Sequence, residues 1–575
     1  MSNLANFRNQ RWLLSVHTLP ILLLILAVGC SSQESPPTTP PTNAPDLKVV
    51  AEQIRSIAES GTLSTLRWPD FSDYVRPVQQ FYEADNYSPV WIRDGQCTPQ
   101  AVAMIAALEG SQHKGLDSED YDATRWPSRL AALKVASADP TTVATFDVAL
   151  TVSAMRYISD LHIGRLNPKH AEFSVGSAPD TNDLSQFLAR KIVAANNVSD
   201  ALNALEPQYY GYQRAEAALQ TYLSLAAKDV RALLPVAEKP VRPSDAYGGV
   251  EQLAERLRLC GDLAPSVAID TAGGIYGGAL VDAIKHFQIR HGIAPNGTIG
   301  EETFRQLNTP LSIRVTQLED ALERWRWLPQ DFTTLPVAVN IPEFVLRVFS
   351  PDHRVAMRMN VVVGKAFGHQ TPVFAQEMKY IVFRPYWNVP PSIVRSEIAP
   401  ALQKSATYLA RKHLEITDRS GHVITNSTVS SEILAELRSS KLMVRQRPGP
   451  DNSLGLVKFI FPNEYNVYLH STPAPQLFSQ SRRDFSHGCI RVQKPAELAA
   501  FLLQDQPKWT LENIKAAMDS GPDNQQVNLL KPVPVVIVYM TAVVEEDGEV
   551  YFFDDIYGHD RSLNAALAKR RPYAR

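Results

Sequence analysis

The chain has 575 residues, with 57 Lys and Arg against 60 Asp and Glu, a formal net charge of −3. At about 150 residues per domain that is roughly three to four domains, each able to bury a sizeable core. Apolar residues at 45% and charged residues at 20% exclude a disordered chain. The near-neutral balance argues against a nucleic-acid binder, which needs surplus cations against phosphates, and four cysteines are too few for a disulfide-dense scaffold.

Arg8 and Arg11 precede an apolar stretch from Leu19 to Val28, interrupted by Pro20. It is shorter than the roughly 20 residues a membrane-spanning helix needs. It ends in Leu26-Ala-Val-Gly-Cys30, which resembles a bacterial lipoprotein signal. That resemblance implies a lipoprotein signal over 1–30 in which the segment before Cys30 is removed, lipidation of Cys30, and sorting to the outer membrane on its periplasmic side, because Ser31 and Ser32 follow in place of Asp. Cleavage as an ordinary secreted, soluble periplasmic protein is the alternative. Residues 31–46 carry five prolines and almost no apolar side chains, the composition of an extended tether.

From 47 to 268 the pattern is mostly helical. Ala101–Leu108 and Phe146–Leu161 repeat apolar residues every three or four positions, and Trp91, Tyr121 and Trp126 read as core aromatics. No catalytic motif appears, so this is a helical scaffold. Over 269–312 a compact unit follows. Ile284, Phe287 and Gln288 share a helical face, Gly292 can end that helix, Pro295-Asn-Gly297 is turn chemistry, and a second helix runs from about Glu301 to Leu307. The layout AI-x-x-FQ-x-x-x-G-I-x-x-x-G-x-I-G-x-x-T resembles a small three-helix peptidoglycan-binding domain; the spacing alone gives a two-helix unit.

Beyond it the period changes. Val337–Pro342, Val345–Phe349, Met359–Gly364 and Tyr380–Arg384 are short β-branched or aromatic runs divided by Pro, Gly and Asp, and strands resume at Val457–Phe461 and Val533–Val544. About 392–456 reverts to helix and polar loop, the size of a lid inserted into a β-sandwich-like domain. The fold expected is therefore α+β and multi-domain, with the β-rich catalytic part over 313–545 and a C-terminal tail over 546–575.

Chemistry concentrates between His470-Ser471 and Ser486-His487-Gly488-Cys489-Ile490-Arg491. A thiol attacks as its thiolate, scarce at pH 7 from a free pKa of about 8.5, so a nearby imidazole must take the proton. Two histidines are available, one 19 residues upstream at a strand end and one two residues before the cysteine. Gly488 frees the backbone so that amides of Gly488 and Cys489 can face an oxyanion, and Arg491 adds fixed positive charge. A second reading makes His470, His487 and Cys489 the ligands of a zinc-dependent wall hydrolase, without a CxxC or HExxH to accompany them.

The pattern His470-x15-Ser-His-Gly-Cys-Ile-Arg491 resembles the signature of the L,D-transpeptidase (YkuD-type) catalytic domain. Glu323–Pro329, Val363-Gly-Lys365 with Thr371-Pro372, and Trp387-Asn-Val-Pro-Pro391 are similar to segments of its large Gram-negative, multi-domain members. The resemblance implies that Cys489 is the nucleophile and His470 the general base, oriented by a carbonyl at or near Ser471. His487 and Gly488 would shape the oxyanion environment, with Arg491 in support.

It further implies attack on the diaminopimelate carbonyl of a donor tetrapeptide stem, loss of D-Ala, and a thioester. The diaminopimelate amine of an acceptor stem resolves that thioester into a 3→3 cross-link. Carboxypeptidase-type hydrolysis, or making or cleaving a lipoprotein–peptidoglycan link, are alternatives, and carbapenems would acylate the same cysteine. No cofactor is called for, and wall-synthesis proteins are candidate partners.

Trp387, Asn388, Tyr468 and Ser486 are candidate substrate contacts; for Trp387 a core position is the competing reading. Lys365 and Arg384 are candidate carboxylate contacts against a default of solvated charge. Cys97 and Cys260 are expected to be unpaired and buried, with a disulfide as the alternative.

Overall fold

A computed structural model describes residues 45–136, 139–171, 173–175, 183–229, 233–329, 335–405, 407–424, 429–569 and 571. The expected signal segment, Cys30 and nearly all of the Pro-rich tether lie outside the described residues. Among those described, no helix is long and apolar enough to cross a membrane.

The N-terminal region is helical, built around Pro140–Ile163. Asp139 caps that helix by accepting from the Thr142 amide, Pro140 opens it, and Gly164 at φ 83° ends it. The helix is buried on nearly every side, hence its apolar sequence all round. Its buried Asp147 accepts from the Tyr82 hydroxyl at 2.7 Å and from the Trp91 amide at 2.8 Å. Burial pushes that carboxyl up to about 6 against these hydrogen bonds. Trp91, Tyr121 and Trp126 are fully buried in this core.

Helices Val250–Cys260, Ala279–Arg290 and Glu301–Leu307 share a separate core with Leu234, Val241, Tyr276 and Ile299. That unit therefore begins well before 269. Gln288 explains part of its motif. The buried amide accepts from Gly297 N at 2.9 Å and donates to the Thr298 carbonyl at 2.9 Å, clamping the Pro295-Asn-Gly turn. Gly297 has φ 70°, and a Cβ there would lie 2.9 Å from Val281 Cγ1.

The C-terminal half holds a ten-stranded sheet. Its order is Val457–Ile460, Leu469–His470, Ile490–Val492, Val355–Gly364, Val345–Phe349, Val337–Asn340, Gln525–Val538, Val373–Phe383 and Phe173–Ser174, and Asp484–Ser486 pairs beside Val355–Gly364. Val457–Ile460 also pairs with Val373–Phe383, so the sheet closes into a barrel-like form rather than the sandwich-like layers expected. Its last strand comes from the scaffold, with Phe173 opposite Val373 in parallel.

Two expected features differ from what is observed. The insertion is not purely helical: Trp387–Asn388, Met443–Gln446 and Leu414–Thr417 form a three-stranded antiparallel sheet over its own core of Val389, Ile398, Leu434 and Val444. Strands of four residues or fewer are too short for alternation to stand out among polar loops. Within the expected tail over 546–575, the described residues 546–569 fold back onto the rest of the chain. Val550–Phe552 pairs with Ala542–Val544, and helix His559–Leu567 docks on helix Leu311–Arg326, with Arg324 to Asp560 at 2.5 Å and Asn564 to Asp320 at 2.9 Å.

Helix Leu311–Arg326 also ties the scaffold to the sheet. Glu323, fully buried, accepts from the amides of Arg165 at 2.6 Å and Leu166 at 3.1 Å. Gly164 leaves room for it, since a Cβ there would sit 2.8 Å from Glu323 Oε1. Trp327 packs edge-on against Phe173.

Candidate active site

Strands Leu469–His470 and Ile490–Val492 run parallel, with Leu469 opposite Ile490 and His470 opposite Arg491. Val467, Leu469, Ile490 and Val492 point into the barrel core. Strand alternation then sends Tyr468, His470, Cys489 and Arg491 to the other face together. Two segments 19 residues apart in sequence thereby deliver a thiol, an imidazole, a phenol and a guanidinium to one patch.

His470 is buried, and its Nδ1 lies 2.6 Å from the Ser471 carbonyl. That contact holds the proton on Nδ1 and leaves Nε2 as the lone-pair nitrogen. Burial, and then the Arg491 charge, push the imidazole down to about 3. The Cys489 thiol is pushed up, chiefly by burial, against the opposing pull of the Tyr468 amide and hydroxyl and of Arg491. Both shifts favour a neutral thiol and a neutral imidazole at rest. The thiol points to the Asn466 carbonyl at 3.7 Å, and Asn466 holds a left-handed φ of 55°. The Tyr468 hydroxyl is pushed up by burial and by its hydrogen bond to the sulfur. Arg491 is half-buried and pushed down by burial; its Nε has no hydrogen-bond partner among the described residues.

The loop bearing the cysteine is braced from three sides. Ser486 Oγ donates to the Cys489 carbonyl at 2.5 Å and accepts from Gly488 N at 3.1 Å. The Gly488 amide is thus turned onto Ser486, and Gly488 takes φ 114°, a region that favours glycine. Thr371 Oγ1 donates to the Gly488 carbonyl at 2.7 Å and accepts from Gly364 N at 2.9 Å. The Tyr557 hydroxyl, from the C-terminal segment, donates to the Gly364 carbonyl at 2.6 Å. A Cβ on Gly364 would lie 1.9 Å from the His369 carbonyl. Ser471 is fixed in turn, its Oγ accepting from Leu456 N at 3.2 Å.

His487 is directed elsewhere. Its Nε2 lies 2.8 Å from Glu397 Oε1, in the insertion, and its ring meets His369 edge-on at 4.7 Å. His470, His487 and Cys489 therefore do not converge as zinc ligands, and among the described residues no group of three or more His, Cys, Asp or Glu is arranged to hold a metal. Trp387 packs against the insertion's own core, and Asn388 is exposed beside it, opposite Arg445. Arg384 is engaged by Asp523 at 2.8 Å, Lys365 is exposed, and Cys97 and Cys260 are free thiols, partly buried.

Glu397, His369, Asn466 and Tyr557 did not stand out in the sequence. Thr371 and Gly364 did, within Val363-Gly-Lys365 and Thr371-Pro372, but with no role attached. Nothing local marks Glu397 or Tyr557, because each meets the site across a long loop closure.

Three family models match the chain. A scaffold domain covers residues 76–219, a domain described as "Putative peptidoglycan binding domain" covers 247–307, and an L,D-transpeptidase catalytic domain covers 337–536. A Haemophilus influenzae protein described as "Putative L,D-transpeptidase" is 31% identical over 230 residues, 40% of this chain. The match spans 45% of that relative's length.

Proposed function

From a chain that carries an L,D-transpeptidase catalytic domain and a peptidoglycan-binding domain, we propose a cysteine acyltransferase that forms 3→3 peptidoglycan cross-links. The observation that carries this reading is the in-register placement of Tyr468, His470, Cys489 and Arg491 on one sheet face.

In the first half-reaction, the Cys489 proton passes to His470 Nε2 as sulfur attacks the diaminopimelate carbonyl of a tetrapeptide stem. The Cys489 amide faces the oxyanion, the Gly488 amide being engaged by Ser486. The C–N bond to D-Ala breaks, His470 returns the proton to the leaving amine, and a thioester remains. In the second half-reaction the acceptor's diaminopimelate amine attacks that thioester and gives up its proton through His470. A peptide bond forms, and the thiol is restored. With both partners neutral at rest, proton transfer accompanies attack instead of preceding it. Arg491 supports the transient thiolate.

The insertion acts as a cover, tethered through Glu397 to His487, that limits water at the thioester. The stem peptides are the substrates, and Cys30 is the site of a lipid anchor that holds the enzyme on the periplasmic side of the outer membrane.

The test is intact-mass measurement with a disaccharide tetrapeptide. Expected results are a Cys489 thioester, released D-Ala and a 3→3 dimer, all absent in Cys489→Ala, with a carbapenem adduct formed only on the parent. Tripeptide monomer as the sole product would establish hydrolysis instead. Activity that survives Cys489→Ala but is lost with a chelator would overturn the thiol chemistry.

A further inference from the structure

A groove of about 770 Å³ separates the peptidoglycan-binding domain from the catalytic barrel. One wall is the helix end and turn around Ile289, Pro295, Glu302 and Arg305; the other is the segment 478–483 that leads into Ser486–Cys489; Phe553 and Asp554 close the remaining side. We propose that this groove binds the amino-sugar glycan backbone of the wall polymer, so that pendant stems are presented to Cys489. This inference rests on the function proposed above.

The groove is preformed. Asp554 ties the closing side to the peptidoglycan-binding wall, accepting from Arg305 and Gln306, each at 2.7 Å. On the barrel side, Asn360 donates to the Phe478 carbonyl at 3.0 Å, and Arg483 donates to the carbonyls of Val361 and Phe344, each at 3.2 Å. Its size falls within the about 300–1,000 Å³ usual for sites that bury most of a small ligand.

The lining chemistry selects the ligand class. Carboxylates (Glu301, Glu302) and guanidiniums (Arg305, Arg482) line it together, so it carries no single-sign field to attract an ion. Exposed Ile289 and Pro295 add apolar surface between them. Interleaved donors, acceptors and apolar faces suit an uncharged, hydroxyl- and acetamide-bearing chain.

Position links the groove to chemistry. Arg482 lies seven residues before Cys489, which at about 3.5 Å per residue keeps the two within about 25 Å. Ile556 lines the groove, and the next residue, Tyr557, bonds to Gly364, which is bridged by Thr371 to Gly488.

The experiment measures binding of peptide-free glycan strands to the full chain carrying Cys489→Ala, compared with the same chain also carrying Ile289→Glu or Glu302→Lys. Both positions are exposed, and among the described residues the ion pair at Glu302 is a 3.8 Å contact to Arg305, so folding is retained and checked by an unchanged melting temperature. At least a tenfold weaker affinity in both variants is expected. Affinities within twofold of the parent, no binding of bare glycan by the parent, or binding only when stems are present would each overturn the groove assignment. Thioester formation with a tetrapeptide donor is measured separately in chains that retain Cys489. Its absence would sink the proposed chemistry and leave the glycan measurement standing.

Discussion

Glu397 Oε1 lies 2.8 Å from Nε2 of His487, which stands two residues before Cys489. The contact joins the insertion to the loop bearing Cys489. Glu397 is half-exposed, and such a pair is worth about 0–1 kcal/mol in stability. Glu397→Ala should therefore barely move the melting temperature. Its expected effect is on partition: a looser cover admits water to the thioester, and the fraction of donor ending as hydrolysed tripeptide should rise several-fold over cross-linked dimer, read by chromatography of the products. An unchanged ratio would remove the insertion from the reaction.

Thr371 should matter more than an ordinary core threonine. Thr371→Val keeps the shape but strands the Gly364 amide and the Gly488 carbonyl, both buried. About 1–3 kcal/mol of stability should be lost. In addition kcat should fall at least tenfold, with a smaller change in KM, because the loop presenting Cys489 loses a brace. Thr371→Ser, which keeps the hydroxyl, should recover most of the rate.

His470 makes stability depend on pH. Buried and neutral in the fold, it binds a proton only near pH 3, whereas an exposed imidazole in the unfolded chain binds one near 6.5. Between those values the unfolded chain holds the extra proton, so stability is complete above about pH 6.5 and declines as pH falls toward 3. His559, pushed down to about 4 by burial, acts in the same direction. Urea melts from pH 7 to 4 should show this decline, and His470→Asn should make it shallower. An identical slope in the variant would show that His470 titrates normally.

Glu323 is the buried acceptor joining the scaffold to the catalytic half, with Arg165 at 3.5 Å and Arg326 at 3.7 Å. Glu323→Ala should cost about 3–5 kcal/mol, the penalty for leaving buried cations without their anion, and Glu323→Gln less, since an acceptor for the two amides remains. Denaturant titration measures both, and a loss under 1 kcal/mol for the alanine variant would contradict this role.

Much of this arrangement was legible in the sequence, for local reasons. The long helix announced itself over Phe146–Leu161 through apolar residues every three or four positions. The runs at 337, 345 and 457 are rich enough in β-branched and aromatic residues to be read as strands, and the turn at Pro295-Asn-Gly divides two helices where expected. Barrel closure was not legible, because it depends on Val457–Ile460 choosing two partners at once, a non-local fact. Nor was the folding back of 546–569, whose helix His559–Leu567 has few apolar residues and gains its place from Arg324 and Asp320. At the site, Ser486–Arg491 carries a spacing that backbone geometry makes readable. Glu397 comes from 90 residues away from its partner His487 and Tyr557 from 193 residues away from its partner Gly364, and they leave no local trace.

The parallel pairing of Phe173 with Val373 gives the barrel an outer strand on loan from the scaffold. A fragment trimmed to residues 337–536 would present bare ladder groups along Val373–Phe374, an invitation to edge-to-edge aggregation. The same trimming discards Tyr557. Inhibitor screening on such a fragment would sample a sticky, poorly buttressed loop, so the longer chain is the sound reagent.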